Sequence, residues 1–348
     1  MVFRFLKWLV ACLALLVVVG AMFLELRQLY GNRKAARLIA EFQVEAVKNF
    51  GATRSLRILP LIEYHSSDPA LLSEVGVSYL VETDDLRILF DVGHNANWES
   101  PSPLQRNMET LGIDLASIDL VFLSHNHLDH SGGQRWVMKN SFSLGTEQKP
   151  FPNPDTWAVV PQGVTYPGMK TFVASKPMSI GNGLGTTGVG SSGTMPRQLV
   201  LGWIEEHSLV VNVEGLGGVL IVGCGHQPVP NLILRYEAAF EEPLYGVVGG
   251  LHFPVPQGRI MVGPIDGQRL LASGQGLLSP MTMSEVEQHV AVLKLRRPGL
   301  VAVGSHDSSD EAIELLRREF GDRFRHVRVG EEILVGAALP SQRSGGTH

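Results

Sequence analysis

Cysteine is nearly absent from this chain. Only Cys12 and Cys224 occur in 348 residues, which excludes a disulfide-stapled scaffold. Cys12 lies inside a hydrophobic N-terminal run, apart from Cys224, so no bond between the two is expected. A cationic surplus is missing too: 29 Lys and Arg stand against 34 Asp and Glu, for a net charge of −5. Polyanion binding is driven by Lys and Arg neutralising phosphates, so a nucleic-acid partner is not expected. No GxSxG-type sequence supplies a serine nucleophile, and no GxxxxGK[ST] loop supplies a phosphate cradle. Charged residues make up 18% of the chain and hydrophobic residues 44%, a balance that excludes a disordered polymer. The length allows a large core, in one domain or two.

Charge is also missing from Trp8 to Leu24, an apolar run preceded by Arg4 and Lys7 and followed by Glu25 and Arg27. At ~1.5 Å per residue it reaches most of a ~30 Å hydrocarbon core. The run is longer than the ~7–15 residues of a signal h-region, although Val19-Gly20-Ala21 resembles a cleavage site. Residues 1–28 are therefore read as a single-pass membrane anchor in preference to a cleaved signal. Basic residues flank both sides, with Arg27, Arg33, Lys34 and Arg37 beyond the run, so the positive-inside rule leaves the orientation open. The short N-terminal tail favours a catalytic domain on the exported side. Asn32 to Phe50 has apolar residues at helical spacing and predicts an amphipathic linker helix within residues 29–52, ended by Gly51.

The chemistry is concentrated in Val121 to Gly133, VFLSHNHLDHSGG. A short apolar strand runs directly into three histidines and an aspartate. Alternate residues of a strand share a face, so His125 and His127 point to one side. The Gly132-Gly133 pair lets the backbone turn, which frees Asp129 and His130 to point elsewhere. Two imidazoles for one ion, with a carboxylate and an imidazole for another, is what two adjacent metals require. Imidazole with carboxylate suits zinc, iron or manganese, and zinc is the default for hydrolysis.

His125-x-His127-x-Asp129-His130 resembles the signature of the metallo-β-lactamase superfamily of metal-dependent hydrolases. The resemblance implies an α/β fold, a four-layer αββα sandwich with the metal site at one edge of two packed sheets. The stretches GVSYLVETDDLRILFDVG and LQRNMETLGIDLASIDLVFLSHNHLDHSGG are similar to one branch, the dihydropterin-type (ribofuranosyl-aminobenzene phosphate synthase-like) proteins. Asp91 and Gly93 stand where the superfamily has an aspartate-x-glycine closing a strand, which implies support of the ligands by Asp91. The branch's Gly-Cys-x-His aligns with Gly223-Cys224-Gly225-His226, making His226 the distal histidine of the first metal. Cys224 is the alternative ligand there, since thiolate binds zinc.

A buried strand ends at Gly249-Gly250-Leu251-His252, which makes His252 a ligand or a substrate contact. Another ends at Gly304-Ser305-His306, and His306 is the candidate that closes the second metal's shell. The branch has a Cys-His-Cys-like neighbourhood at that point, and Ser305-His306-Asp307 departs from it. Arg197 resembles the branch's Pro-Arg segment and is a candidate contact for an anionic substrate. Ser179 to Gly193, with six glycines, is read as a flexible loop over the site mouth.

The expected activity is hydrolysis by metal-activated water at a dinuclear site. His125, His127 and His226 would hold one ion, and Asp129, His130 and His306 the other. Asp129 would also orient the nucleophile. Lactones, phosphoesters, thioesters and pterin-like compounds all remain open as small-molecule substrates. Two other readings stand beside it: a pterin-related phosphate synthase, as the branch name implies, and a non-catalytic metal- or ligand-binding module. Both halves of the chain contribute ligands, so residues 53–340 are taken as one catalytic domain, with 341–348 as a disordered tail.

Overall fold

The computed structural model of the chain describes residues 2–161, 163–197, 200–272 and 278–337. The predicted tail lies outside the described residues. Val2–Ala40 forms one helix, α1, of 39 residues, about 58 Å long at ~1.5 Å per residue. It is long and apolar enough to cross a membrane, and its apolar part is exposed. The segments predicted as anchor and linker are thus continuous, and the helix stops at Ala40 instead of Phe50. Beyond Ala40 the chain is not helical. There Val44, Val47 and Phe50 pack against the core, and the Val47 N–H donates to Ala239 O at 2.8 Å. Docking onto the domain outweighs the helical spacing of these residues.

The domain begins with β1 (Ser55–Ile62), β2 (Ser78–Glu82) and β3 (Arg87–Phe90). β2 and β3 form an antiparallel hairpin that turns across Asp84-Asp85. Helix α2 (Pro103–Thr110) follows, capped by Ser102 with a Gln105 capping box, and then β4 (Leu120–Phe122). After α3 (Gln134–Met138) come β5 (Trp157–Val160), β6 (Lys170–Val173), β7 (Met178–Gly181) and β8 (Leu184–Thr186). A hairpin of β9 (Gly190–Arg197) and β10 (Val200–Glu206) leads to β11 (Leu209–Val213) and β12 (Gly217–Val222). Helix α4 (Val229–Ala239), β13 (Leu244–Gly249) and a small hairpin of β14 (Met261–Val262) and β15 (Ile265–Asp266) come next. The chain closes with α5 (Met283–Lys294), β16 (Leu300–Val303), α6 (Asp310–Phe320), β17 (Phe324–His326) and β18 (Ile333–Gly336).

Two mixed sheets result among the described residues, in the orders β18-β1-β2-β3-β4-β5-β6 and β17-β16-β13-β12-β11-β8-β7. Alternation along each strand sorts the side chains into three apolar layers. Ile58, Val81, Phe90 and Phe122 of the first sheet meet Val211, Ile221 and Val248 of the second. Their neighbours Leu59, Leu80, Leu89 and Val121 pack under α2 through Leu104 and Met108. On the outer face of the second sheet, Leu220, Val247 and Val301 pack under α4, α5 and α6. The order helix, sheet, sheet, helix is the four-layer αββα sandwich expected from the sequence.

Strands β3, β4, β5 and β6 run parallel, as do β12, β13, β16 and β17. Their C-terminal ends share one edge of the sandwich, where open α/β sheets place ligands. The residues that follow β1, β3, β4, β12, β13 and β16 are Glu63, Asp91, the histidine motif, Cys224 with His226, His252, and His306.

Candidate metal centre

Glycines make the convergence of these strand ends possible. A Cβ at Gly223 would collide with Ser124 Oγ, one at Gly250 with Asp307 Oδ2, and one at Gly304 with the Glu63 carboxylate. Polar side chains therefore press directly on the backbone beside Cys224, His252 and His306. Asp91 and His252 themselves adopt positive φ, 54° and 52°, a conformation uncommon outside glycine and found at functional sites.

One cluster joins His125, His127 and His226, whose ligand atoms all lie within 4.8 Å of one another. His226 Nε2 stands 3.1 Å from His127 Nδ1. Ser124 Oγ lies 2.9 Å from His125 Nδ1, which leaves His125 Nε2 aimed into the cluster. His125 and His130 are fully buried, and His226 and His252 nearly so.

A second region centres on Cys224. Its Sγ is 3.0 Å from His130 Nε2 and 3.5 Å from His306 Nε2. Within the same 4.8 Å limit it groups with His125 and His130, with His226 and His252, and with His306 and Asp307. The two residues weighed for the distal position, His226 and Cys224, thus both lie at the site. His252 joins them, its N–H donating to Asp307 Oδ2 at 3.0 Å. Asp129 falls in none of these close groups; its Oδ2 is 3.6 Å from His130 Nε2.

Carboxylates behind the imidazoles fix their orientation. Asp91 Oδ2 is 2.7 Å from His130 Nδ1, and the same carboxylate accepts from Ser124 N–H and Oγ. Glu63 Oε2 is 3.0 Å from His306 Nδ1 and accepts from Tyr79 at 3.2 Å, while Oε1 accepts from the N–H groups of Tyr64, Ser305 and His306. Glu206 accepts from the N–H groups of Gly225 and Gln227, clamping the turn that carries His226. Sequence reading found Asp91 but missed Glu63, Glu206 and Asp307. A buried carboxylate in an otherwise apolar segment, as in LRILPLIE, was the one available signal for Glu63.

Two placements differ from expectation. The glycine-rich segment from Ser179 is not a loop: it forms β7, β8 and the start of β9. Its glycines serve close packing, since a Cβ at Gly185 would press on Phe50, Phe240 and the Met178 carbonyl. Arg197 ends β9, and its side chain lies outside what the structure describes.

Burial and mutual repulsion hold the His125 and His226 imidazoles well below their usual range. For His130, burial opposes charge, but Cys224, Asp129 and Asp91 outweigh it and hold it well above that range. His306 is raised likewise against burial, by Asp307, Glu63 and Cys224. Burial also opposes ionisation of Asp129, yet His130 and its neighbours hold that carboxyl well below its normal value. Burial pushes the Cys224 thiol up, Asp307 to about 6 and Glu206 to about 7.

The donors fit a divalent cation. His125 Nε2 and His226 Nδ1 are buried without a hydrogen-bond partner, a costly state for an imidazole nitrogen. Nitrogen, sulfur and carboxylate oxygen within this spacing suit a zinc-like ion.

Comparison with known proteins agrees. Residues 74–142 match the family described as the Metallo-beta-lactamase superfamily. The chain is 24% identical over 242 residues to a 7,8-dihydropterin-6-methyl-4-(beta-D-ribofuranosyl)-aminobenzene-5'-phosphate synthase of Methanocaldococcus jannaschii, covering 59% of this chain and 80% of that protein. The crystal structure of Tm1679, a metal-dependent hydrolase of the beta-lactamase superfamily, superposes with a TM-score of 0.52 and 22% identity, covering 81% of this chain and 100% of the other. The αββα sandwich is thus the fold of that hydrolase, and the stretch that carries the histidine motif matches the metallo-β-lactamase superfamily.

Proposed function

We propose that the protein is a membrane-anchored, metal-dependent hydrolase with a dinuclear centre. The observation that carries this reading is the convergence of six buried or half-buried histidines and Cys224 from both sheets, with His125 Nε2 unpartnered and aimed among them. His125, His127 and His226 would hold one ion, and His130, His306 and Asp129 the other, with Cys224 a further candidate ligand. Divalent ions bound there, zinc by default, supply Lewis acidity and lower the pKa of coordinated water. Asp91 and Glu63 fix the His130 and His306 rings. Asp129, ionised at neutral pH and 3.6 Å from His130, would orient water and accept its proton. Burial of the surrounding carboxylates keeps bulk water from competing for these contacts.

Changing His127 to alanine is expected to abolish metal-dependent turnover in a screen of esters, lactones, thioesters and phosphoesters. Activity retained with full metal occupancy contradicts the assignment.

The name of the M. jannaschii relative favours a second reading, a pterin-related phosphate synthase acting as a transferase. Product formation that requires a second organic substrate, with no hydrolysis of any compound in the screen, would select it. A metal-binding module without turnover is the third outcome. Residues 53–340 form the catalytic domain in this proposal. α1 is the single-pass anchor, with the domain on the exported side.

A further inference from the structure

We infer that Ile260, Met261, Ile265 and Leu278 form a membrane-contact surface that seats the metal centre against the bilayer crossed by α1. These side chains are 41%, 41%, 52% and 78% exposed; the first three stand on or beside the β14–β15 hairpin, and Leu278 follows it in sequence. Large apolar side chains gathered on one projecting element mark an interaction surface. The tip of the hairpin is Gly263-Pro264, so it carries no charge into its partner.

The position of this surface along α1 identifies the partner as lipid. The Leu278 N–H donates to Glu25 Oε2 at 3.4 Å. Glu25 is the first charged residue after the uncharged run of α1, the level at which the helix leaves the hydrocarbon. Leu278 is thereby held at the headgroup boundary, the depth at which apolar side chains of interfacial elements insert.

The polar groups of the same segment face the protein. Arg259 Nε donates to Ser305 O at 3.0 Å and Ser308 O at 3.1 Å, the carbonyls that flank His306-Asp307, and Nη2 pairs with Asp310 Oδ1 at 2.6 Å. Arg269 donates to Met281 O and Pro256 O, and Asp266 accepts from Gly258 N–H. The hairpin is thus bonded on its inner side to the His306 turn and leaves its apolar side outward. The segment around the hairpin thus reaches α1 through Leu278 and the His306 turn through Arg259.

The test uses the full chain in phosphatidylcholine nanodiscs. Cys12 is changed to serine, and Ile265→Cys is labelled with an environment-sensitive fluorophore; Cys224, 2% exposed, stays unlabelled. A label at exposed Glu109→Cys on α2 serves as the reference. The Ile265 label is expected to emit at shorter wavelength than the reference and to lose more than half its intensity when acyl-chain doxyl lipids are included. Equal quenching of the two labels overturns the inference. So does a blue-shifted Ile265 label that doxyl lipid does not quench, which would assign the surface to a second copy or another protein. Neither readout depends on turnover, so the hydrolase proposal can fail while this one stands.

Discussion

Asp91 and His130, 39 residues apart in sequence, meet through a 2.7 Å contact between Oδ2 and Nδ1, and both side chains are fully buried. The contact fixes the ring so that Nε2 faces Cys224 at 3.0 Å. The same carboxylate takes the Ser124 N–H and hydroxyl at 2.7 Å each, so one residue aligns both ends of the histidine motif.

Replacing Asp91 with asparagine keeps the size but removes the charge that favours an Nδ1-protonated ring. Metal affinity is expected to drop by ~10–100-fold, the usual effect of losing such a partner. Competition with a chromophoric chelator measures it, and unchanged affinity would show that the ring is held by packing alone.

Glu206 gives a pH dependence of defined sign. Burial raises it from 4.5 to about 7, so between those values the folded chain holds a proton that the unfolded chain has lost. Stability therefore falls as pH rises through this window, by up to ~1.4 kcal/mol per unit, and levels off above it. Thermal unfolding of the metal-free chain in detergent, from pH 5 to 8, should show wild type losing ground to a Glu206→Gln variant. Parallel curves would refute the buried acid.

His207 separates structure from ligation. It is fully buried, yet Thr186 Oγ1 lies 2.7 Å from its Nδ1 and Leu123 O lies 2.8 Å from its Nε2. The His207→Ala variant is expected to lose ~1–3 kcal/mol of stability, the cost of orphaned buried partners, and to retain its metal. Loss of metal equal to that of a His127 variant would place His207 in the centre.

The legible part of this molecule was local. VFLSHNHLDHSGG announces its chemistry because four candidate ligands follow one strand, and the other ligand candidates each stand at the end of a β-branched run. Glu63 could not be read in this way, because it finds His306 243 residues away. Glu206 takes its role from the turn at Gly225 and Gln227. The glycine-rich stretch from Ser179 misled for a physical reason. Glycine serves flexibility and close packing alike, and only the presence of Phe50 and Phe240 against Gly185 distinguishes the two. The same holds for Val44 to Phe50, whose helical spacing yielded to burial against the second sheet's outer layer.

The most direct test is elemental analysis of full-length protein purified without chelator, alongside a His125→Ala variant. Two equivalents of zinc, iron or manganese per chain are expected, with at least one lost in the variant. Protein that holds no metal, or a variant that holds as much as wild type, would contradict the dinuclear centre.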